Sequence, residues 1–331
     1  MPLRILWRQL LVAAVGLCAL NVGIARLARN SVPRQVLRQA SRTSGTTDLF
    51  LGNSLIQAGF VPSVFQERRP ERVAVNLGVG ATSPVEHLLM YAASDPGTVR
   101  GVYYGFFDDQ LTRVTEGRWT TLVGNRALSY YVRPDIAERL YAADSLWHRA
   151  AFRAASVVPM LVERQSLWAW VERIRRGLGG IGMPRVETNQ FGRVADFSLL
   201  EQDARAFEDH CRQAVAAATP LTPAVVEMAR RARAGGGQFV AIEMPMPSAH
   251  RRLYYQSEAW RAYRAMVESA LRSEGALYVA AADWIGDDGF SDALHLSPDG
   301  AVRFTRSLAD WSARASPSVP ARLASPQEAA Q

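Results

Sequence analysis

The chain contains no lysine; all 38 of its basic residues are arginine. That absence excludes a Schiff-base lysine, a P-loop lysine and a serine–lysine dyad. Cysteine is scarce too. Cys18 lies in an apolar N-terminal run and Cys211 in a predicted helix, so the pair gives no disulfide framework, and no cysteine–histidine spacing suggests zinc. No nucleic-acid-binding motif accompanies the arginines, so nucleic acid is not an expected partner. The net charge of +7 reads as the arginine bias of a GC-rich genome or, functionally, as affinity for anionic lipid or polymer. With 48% hydrophobic and 21% charged residues, the composition is that of a globular protein. The 331 residues allow one α/β domain of ordinary size plus an insertion or tails.

Charge is also missing from residues 9–25, QLLVAAVGLCALNVGIA, which lie between Arg8 and Arg26. The run is at the short end for a transmembrane helix. Arg4 and Arg8 give it a signal-like start, but no small-x-small cleavage site precedes Arg26, so residues 1–26 are expected to form an uncleaved membrane anchor. Arg26, Arg29, Arg34 and Arg38 follow the run, and that excess alone would hold the rest of the chain in the cytoplasm. The signal-like start argues for export, which is the orientation expected here. The polar, basic residues 27–47 read as a linker.

From residue 48 the pattern becomes α/β. DLFLGNS (48–54), RVAVNLGVG (72–80), VRGVYYGFF (99–107), QFVAIEMP (238–245) and ALYVAAAD (276–283) read as strands. Helical patterns at 84–94, 199–218, 223–234, 260–275 and 298–313 alternate with them, and Pro84 sits at an allowed first-turn position. Alternation of this kind implies a parallel sheet covered on both faces, built from residues 48–113 and 199–315. Residues 114–198 interrupt the rhythm with helices rich in Trp and Arg, so they read as a helical insertion. Its Trp147, Trp168 and Trp170 are expected to pack helices rather than to touch membrane or sugar. The Pro-, Ser- and Ala-rich residues 316–331 read as a disordered tail.

Active sites of open parallel sheets lie beyond the carboxyl ends of the strands. Ser54, Gly80 and the Phe107–Asp109 segment all fall at such ends, and the loop bearing Asp292 and His295 follows the last strand. A serine hydroxyl needs a base to take its proton, and a carboxylate fixes the tautomer of the histidine that serves as that base. Asp292 and His295 are three residues apart, which in a tight loop lets the carboxylate reach Nδ1 while Nε2 faces outward. Ser297 and Pro298 then read as the cap and first turn of the last helix. His87, His148, His210 and His250 have no suitable sequence neighbours and read as surface or core residues.

On these residues the chain resembles the SGNH/GDSL hydrolase family. Gly52-Asn53-Ser54-Leu55 is similar to the family's Gly-Asp-Ser-Leu block, Asn76-Leu77-Gly78-Val79-Gly80 to its oxyanion-glycine block, and Asp292-Ala293-Leu294-His295 to its Asp-x-x-His block. The resemblance implies a three-layer flavodoxin-like sheet of about five strands, with Ser54 as nucleophile, His295 as base and Asp292 as its orienter. It implies oxyanion donors at the N–H groups of Ser54 and Gly80, and neither metal nor cofactor. The third block departs from the family: its Gly-x-Asn-Asp aligns with Gly105-Phe106-Phe107-Asp108, so Phe107 replaces the oxyanion asparagine. Asn53 and Asn76 are candidates for a substitute donor, and Asp108 for a substrate-facing or structural role.

Membrane-anchored relatives in teichoic acid D-alanylation and alginate acetylation share this architecture. They point to a bacterial inner-membrane protein with a periplasmic domain acting on acylated carbohydrate, and to a membrane-bound O-acyltransferase as partner. Two rival readings stay open: a non-catalytic binding or scaffold component, favoured by Phe107, and a lipid-directed esterase, favoured by the Trp/Arg helices.

Overall fold

The computed structural model describes residues 3–29, 32–42, 45–80, 82–94, 99–112, 134–140 and 198–315, with isolated positions between 146 and 171. Most of the expected insertion, including Trp168 and Trp170, the whole expected tail, and His148 lie outside the described residues. Five strands form one sheet: β1 (Thr47–Gly52), β2 (Val73–Asn76), β3 (Val99–Phe106), β4 (Gln238–Glu243) and β5 (Leu277–Ala280). All neighbours pair in parallel, in the spatial order β2-β1-β3-β4-β5. This is the expected three-layer α/β architecture in its flavodoxin-like strand order, and the order reverses between β1 and β3. That switch point is where ligand sites open in such sheets.

The central strands are buried on both faces, which is why they read as continuous apolar runs. Alternate residues still part to opposite sides. Leu49, Leu51, Tyr104 and Phe239 join one core with α2 (Val32–Ala40), α5 (Pro84–Ala92), α6 (Pro134–Leu140), α7 (Ser198–Ala216), α8 (Pro223–Ala234) and α9 (Glu258–Ser273). Phe50, Tyr103, Val240 and Ile242 join the other with α3 (Ser54–Gly59), α4 (Pro62–Arg68) and α10 (Pro298–Ala315). Phe50 lies between Phe60 and Tyr103, with ring centroids 3.5 and 4.5 Å away, so β1 is pinned under the helix that carries the candidate nucleophile. Truncating such a buried ring costs about 3–5 kcal/mol.

Helix α1 (Leu3–Ala28) is long and apolar enough to cross a membrane, with mean hydropathy 2.1 over an 18-residue stretch within Arg4–Ala28. Trp7, Leu11, Val12 and Val15 are exposed along it. The next segment differs from the expected linker. Val36, Leu37 and Ala40 bring one face of α2 into the first core against α5 and β2. The arginines that suggested a solvated linker are Arg34 and Arg38; four residues apart, they share one face of an amphipathic helix.

Candidate active site

β1 ends at Gly52, and the chain turns directly into α3, whose first residue is Ser54. Asn53 is the N-cap: its Oδ1 accepts the Leu55 N–H at 3.0 Å. That bond serves one of the orphan donors at the helix start, while the Ser54 N–H, at the first helical position, has no partner within the helix. The turn is tight because small residues allow it. A Cβ on Gly105 would lie 2.3 Å from Ile56 Cγ1, so only glycine in β3 lets α3 settle on the sheet here. Ser54 is left half-buried at the carboxyl edge, beside the switch point.

The partners come from the loop before α10. Asp292 Oδ1 accepts the N–H groups of Leu294 and His295 at 2.8 and 2.7 Å, which closes the loop into a turn. Ser291 N–H donates to the His295 carbonyl at 2.8 Å, and Phe290 bridges Leu296 in antiparallel fashion. The Ser297 hydroxyl accepts the Gly300 N–H at 3.1 Å, so the expected cap anchors the loop to α10.

This loop brings the three candidate residues into line. His295 Nδ1 lies 2.8 Å from Asp292 Oδ2 and 3.0 Å from Oδ1, and Nε2 lies 2.9 Å from Ser54 Oγ. An ionised carboxylate only accepts, so the network assigns the proton to Nδ1 and leaves the Nε2 lone pair to the serine hydroxyl. The His295 side chain keeps 14% exposure and Asp292 25%, so the line is open to a substrate but largely shielded from bulk water. Such an arrangement can take the serine proton, hold it, and return it to a leaving group.

The other candidates divide. Gly80 is half-buried near the serine: a Cβ on it would stand 3.7 Å from Ser54 Cβ. Its N–H, however, donates to Gln57 Oε1 at 2.8 Å. Asn76 is framework rather than a substrate donor. Its Nδ2 donates to the Ile56 and Phe60 carbonyls at 3.0 and 2.9 Å, and its Oδ1 accepts the Gly78 N–H at 2.9 Å, so both of its N–H groups and its carbonyl are engaged. Asn53 uses its Oδ1 as the cap of α3, and it borders the cavity beside Phe107. Phe107 packs against the second core and borders a cavity of ≈ 220 Å³ with Asn53, Thr82, Ser83, Asp108 and Gln110. Asp108 has a left-handed backbone (φ 49°), and its N–H donates to the Tyr255 hydroxyl at 3.1 Å.

Sequence reasoning missed three residues around this site. Gln57 was hidden because α3 is only six residues long. His250 is a core residue and His210 a surface one, as expected, but both have carboxylate partners distant in sequence: His250 Nε2 lies 3.1 Å from Asp108 Oδ1, and His210 Nε2 lies 2.9 Å from Asp109 Oδ2. His87 is the core residue expected. Burial pushes its imidazole down to about 3, and it packs between Thr82 Oγ1 at 2.7 Å and the Tyr104 hydroxyl at 3.1 Å. Thr82 in turn donates to the Val79 carbonyl, so a neutral histidine braces the loop that carries Gly80. Among the described residues, no group of three or more His, Cys, Asp or Glu is placed to hold a metal ion.

No family model matches this chain, and no curated protein matches it. Among solved structures it is similar to Est24, a carbohydrate acetylesterase from Sinorhizobium meliloti, at 13% identity over 81% of this chain and 98% of that chain, with a TM-score of 0.33.

Proposed function

We propose that the chain is a serine ester hydrolase or O-acyltransferase that works through an acyl-Ser54 intermediate. The observation that carries this reading is the unbroken line from Ser54 Oγ through His295 to Asp292 at the β1/β3 switch point. Ser54 Oγ attacks the acyl carbonyl as His295 Nε2 takes its proton, and Asp292 stabilises the imidazolium. Collapse of the tetrahedral intermediate breaks the ester C–O bond, and the same proton passes to the departing alkoxide. Water or a second hydroxyl, deprotonated by His295, then attacks the acyl-serine and frees it. The Ser54 and Gly80 N–H groups are the proposed donors to the oxyanion.

The substrate class proposed is acylated cell-envelope carbohydrate. The polar cavity bordered by Asn53, the residue before Ser54, supports it, because amide and carboxyl groups from Asn53, Asp108 and Gln110 suit sugar hydroxyls while Phe107 offers an apolar wall. Helix α1 supports a single-pass membrane anchor; the signal-like start is the ground for proposing the α/β domain outside the cytoplasm, and residues 114–198 are proposed to cover the site or dock a membrane-bound acyltransferase. A non-catalytic scaffold is the rival reading, favoured by Phe107 in place of an asparagine. Labelling the full chain with a fluorophosphonate probe separates the two. Reaction that disappears in Ser54→Ala is the expected result; no reaction in the folded wild type would sink the enzyme reading.

A further inference from the structure

Gln57 lies one turn beyond Ser54 on α3, and its carbonyl oxygen already sits on an N–H beside the candidate nucleophile. Oε1 accepts the Gly80 N–H at 2.8 Å, and a Cβ on Gly80 would fall 3.3 Å from Oε1 and 3.7 Å from Ser54 Cβ. The donor is held where it is from two sides. Gly78 packs so closely on α3 that a Cβ there would lie 2.4 Å from the Gln57 nitrogen. Beyond Gly80, Thr82 ties the loop to the Val79 carbonyl and to buried His87. The half-buried Gln57 side chain is therefore the movable member of the pair, and the loop is the fixed one.

We propose that Gln57 is a positioning residue that stands in for the acyl oxygen: it holds the Gly80 N–H at rest and gives way when the oxyanion forms on Ser54. This rests on the acyl-serine reading above. An amide oxygen is a better acceptor than an ester carbonyl oxygen, so a ground-state ester does not displace it. An oxyanion carries charge, and hydrogen bonds to charged groups are roughly twice as strong, so the transition state does. The Gly80 N–H is thereby withheld from the ground-state ester and given only to the transition state, at the cost of breaking its bond to Gln57 on the way. No covalent change at Gln57 is involved; its side chain exchanges one partner for solvent or for the substrate's polar groups.

The test compares full-length wild type with Gln57→Met, which keeps the length but has no carbonyl, and Gln57→Glu, which offers a charged acceptor. Aryl acetate hydrolysis, the fluorophosphonate labelling rate at Ser54, and hydrogen exchange of the peptide spanning 77–82 are the readouts. Gln57→Met should raise kcat/KM by roughly two- to tenfold, mainly through a higher kcat, since one ordinary hydrogen bond no longer has to be broken on the way to the transition state. Exchange in the 77–82 peptide should quicken. Gln57→Glu should lower kcat/KM by about tenfold or more, because a carboxylate grips the same N–H harder. An active wild type with both variants unchanged, or a fall in kcat for Gln57→Met at an unaltered melting temperature, overturns the proposal alone. A wild type that neither hydrolyses ester nor labels at Ser54 overturns the acyl-serine reading and the proposal with it.

Discussion

His295 and His250 each hold an aspartate at the carboxyl edge of the sheet, but in opposite ways. His295 takes Asp292 on Nδ1, from three residues away in its own loop, and turns Nε2 outward to a serine 2.9 Å away. His250 takes Asp108 on Nε2, from 142 residues away, and is only 1% exposed. Its Nδ1 is buried and has no hydrogen-bond partner among the described residues, and its ring stacks on Tyr254 with centroids 4.5 Å apart. The same two residue types thus form an open relay in one place and a closed brace in the other. What separates them is the far nitrogen: one reaches a hydroxyl that can react, and the other faces packed side chains. The brace has its own use, because Asp108 sits in a left-handed conformation and lines, with Phe107 and Asn53, the cavity at this edge. Holding its carboxylate and its N–H, through His250 and Tyr255, offsets the cost of that backbone geometry.

The comparison breaks or holds most visibly in turnover. Ser54→Ala and His295→Ala should each lower kcat on an aryl acetate by a factor on the order of 10⁴–10⁶, and the double variant should be little worse than either single one. Asp292→Asn should cost somewhat less. His250→Gln, in contrast, should leave kcat within about tenfold, because a brace acts on position and not on protons. Equal losses at His295 and His250 would erase the distinction. Next in size is Phe107→Asn. A missing oxyanion donor is worth about 2.7–4 kcal/mol, so an asparagine placed correctly at the end of β3 should raise kcat by up to roughly 10²–10³-fold. An unchanged or lower kcat in a folded Phe107→Asn protein would mean that another group already supplies the third donor, or that an asparagine at this position does not reach the oxyanion.

Stability should invert the ranking of the two histidines. His250→Leu removes a fully buried ring and one partner of the Asp108 carboxylate, so it should destabilise the fold by about 2–4 kcal/mol, seen as a lower urea midpoint at unchanged slope. His295→Leu, at a more open position, should cost about 1 kcal/mol or less. A larger loss at His295 would show that the loop before α10, rather than the Asp108 brace, organises this edge.

Much of this edge could be read in advance because its chemistry is local. Strand ends follow from apolar runs stopped by Gly and Asn, and Asp292–His295 is a turn within one segment, so Ser54, Asp292 and His295 could be brought together from strand order alone. Pro84 likewise announced the start of α5, which carries a capping box at Ser83 and Glu86. What escaped was long-range or short-lived in sequence. Nothing periodic links Asp108 to His250. Helix α3 is too short to show a pattern, so Asn53 as its cap and Gln57 one turn on were not legible. Asn76 looked like a donor because asparagine usually is one near a site; only the closeness of the Ile56 and Phe60 carbonyls makes it framework. Helix α2 was masked by its arginines, whose shared face leaves the apolar one free to pack.

The amino edge of the same sheet provides the mildest contrast. It too has a cavity of ≈ 220 Å³, bordered by Asp48, Arg72, Arg100 and Trp311, but here the charged groups answer one another. Asp48 is 2% exposed and lies 3.3 Å from Arg72. Burial nevertheless outweighs the neighbouring guanidinium groups and pushes its carboxyl up to about 6. A raised carboxyl means that the folded protein binds this proton more tightly than the unfolded chain, whose aspartate titrates near 3.9. The stabilisation is therefore fully present at low pH and is lost as pH climbs from about 4 through about 6, the window set by the two values. Asp48→Asn has no proton to lose, so it should lack this slope. Its stability relative to wild type should rise by about 2 kcal/mol between pH 4 and pH 7, whatever fixed offset the loss of the Arg72 pair introduces. Urea titrations of both proteins at a series of pH values measure that difference directly. A flat difference would mean that Arg72 and Arg69 keep Asp48 ionised throughout.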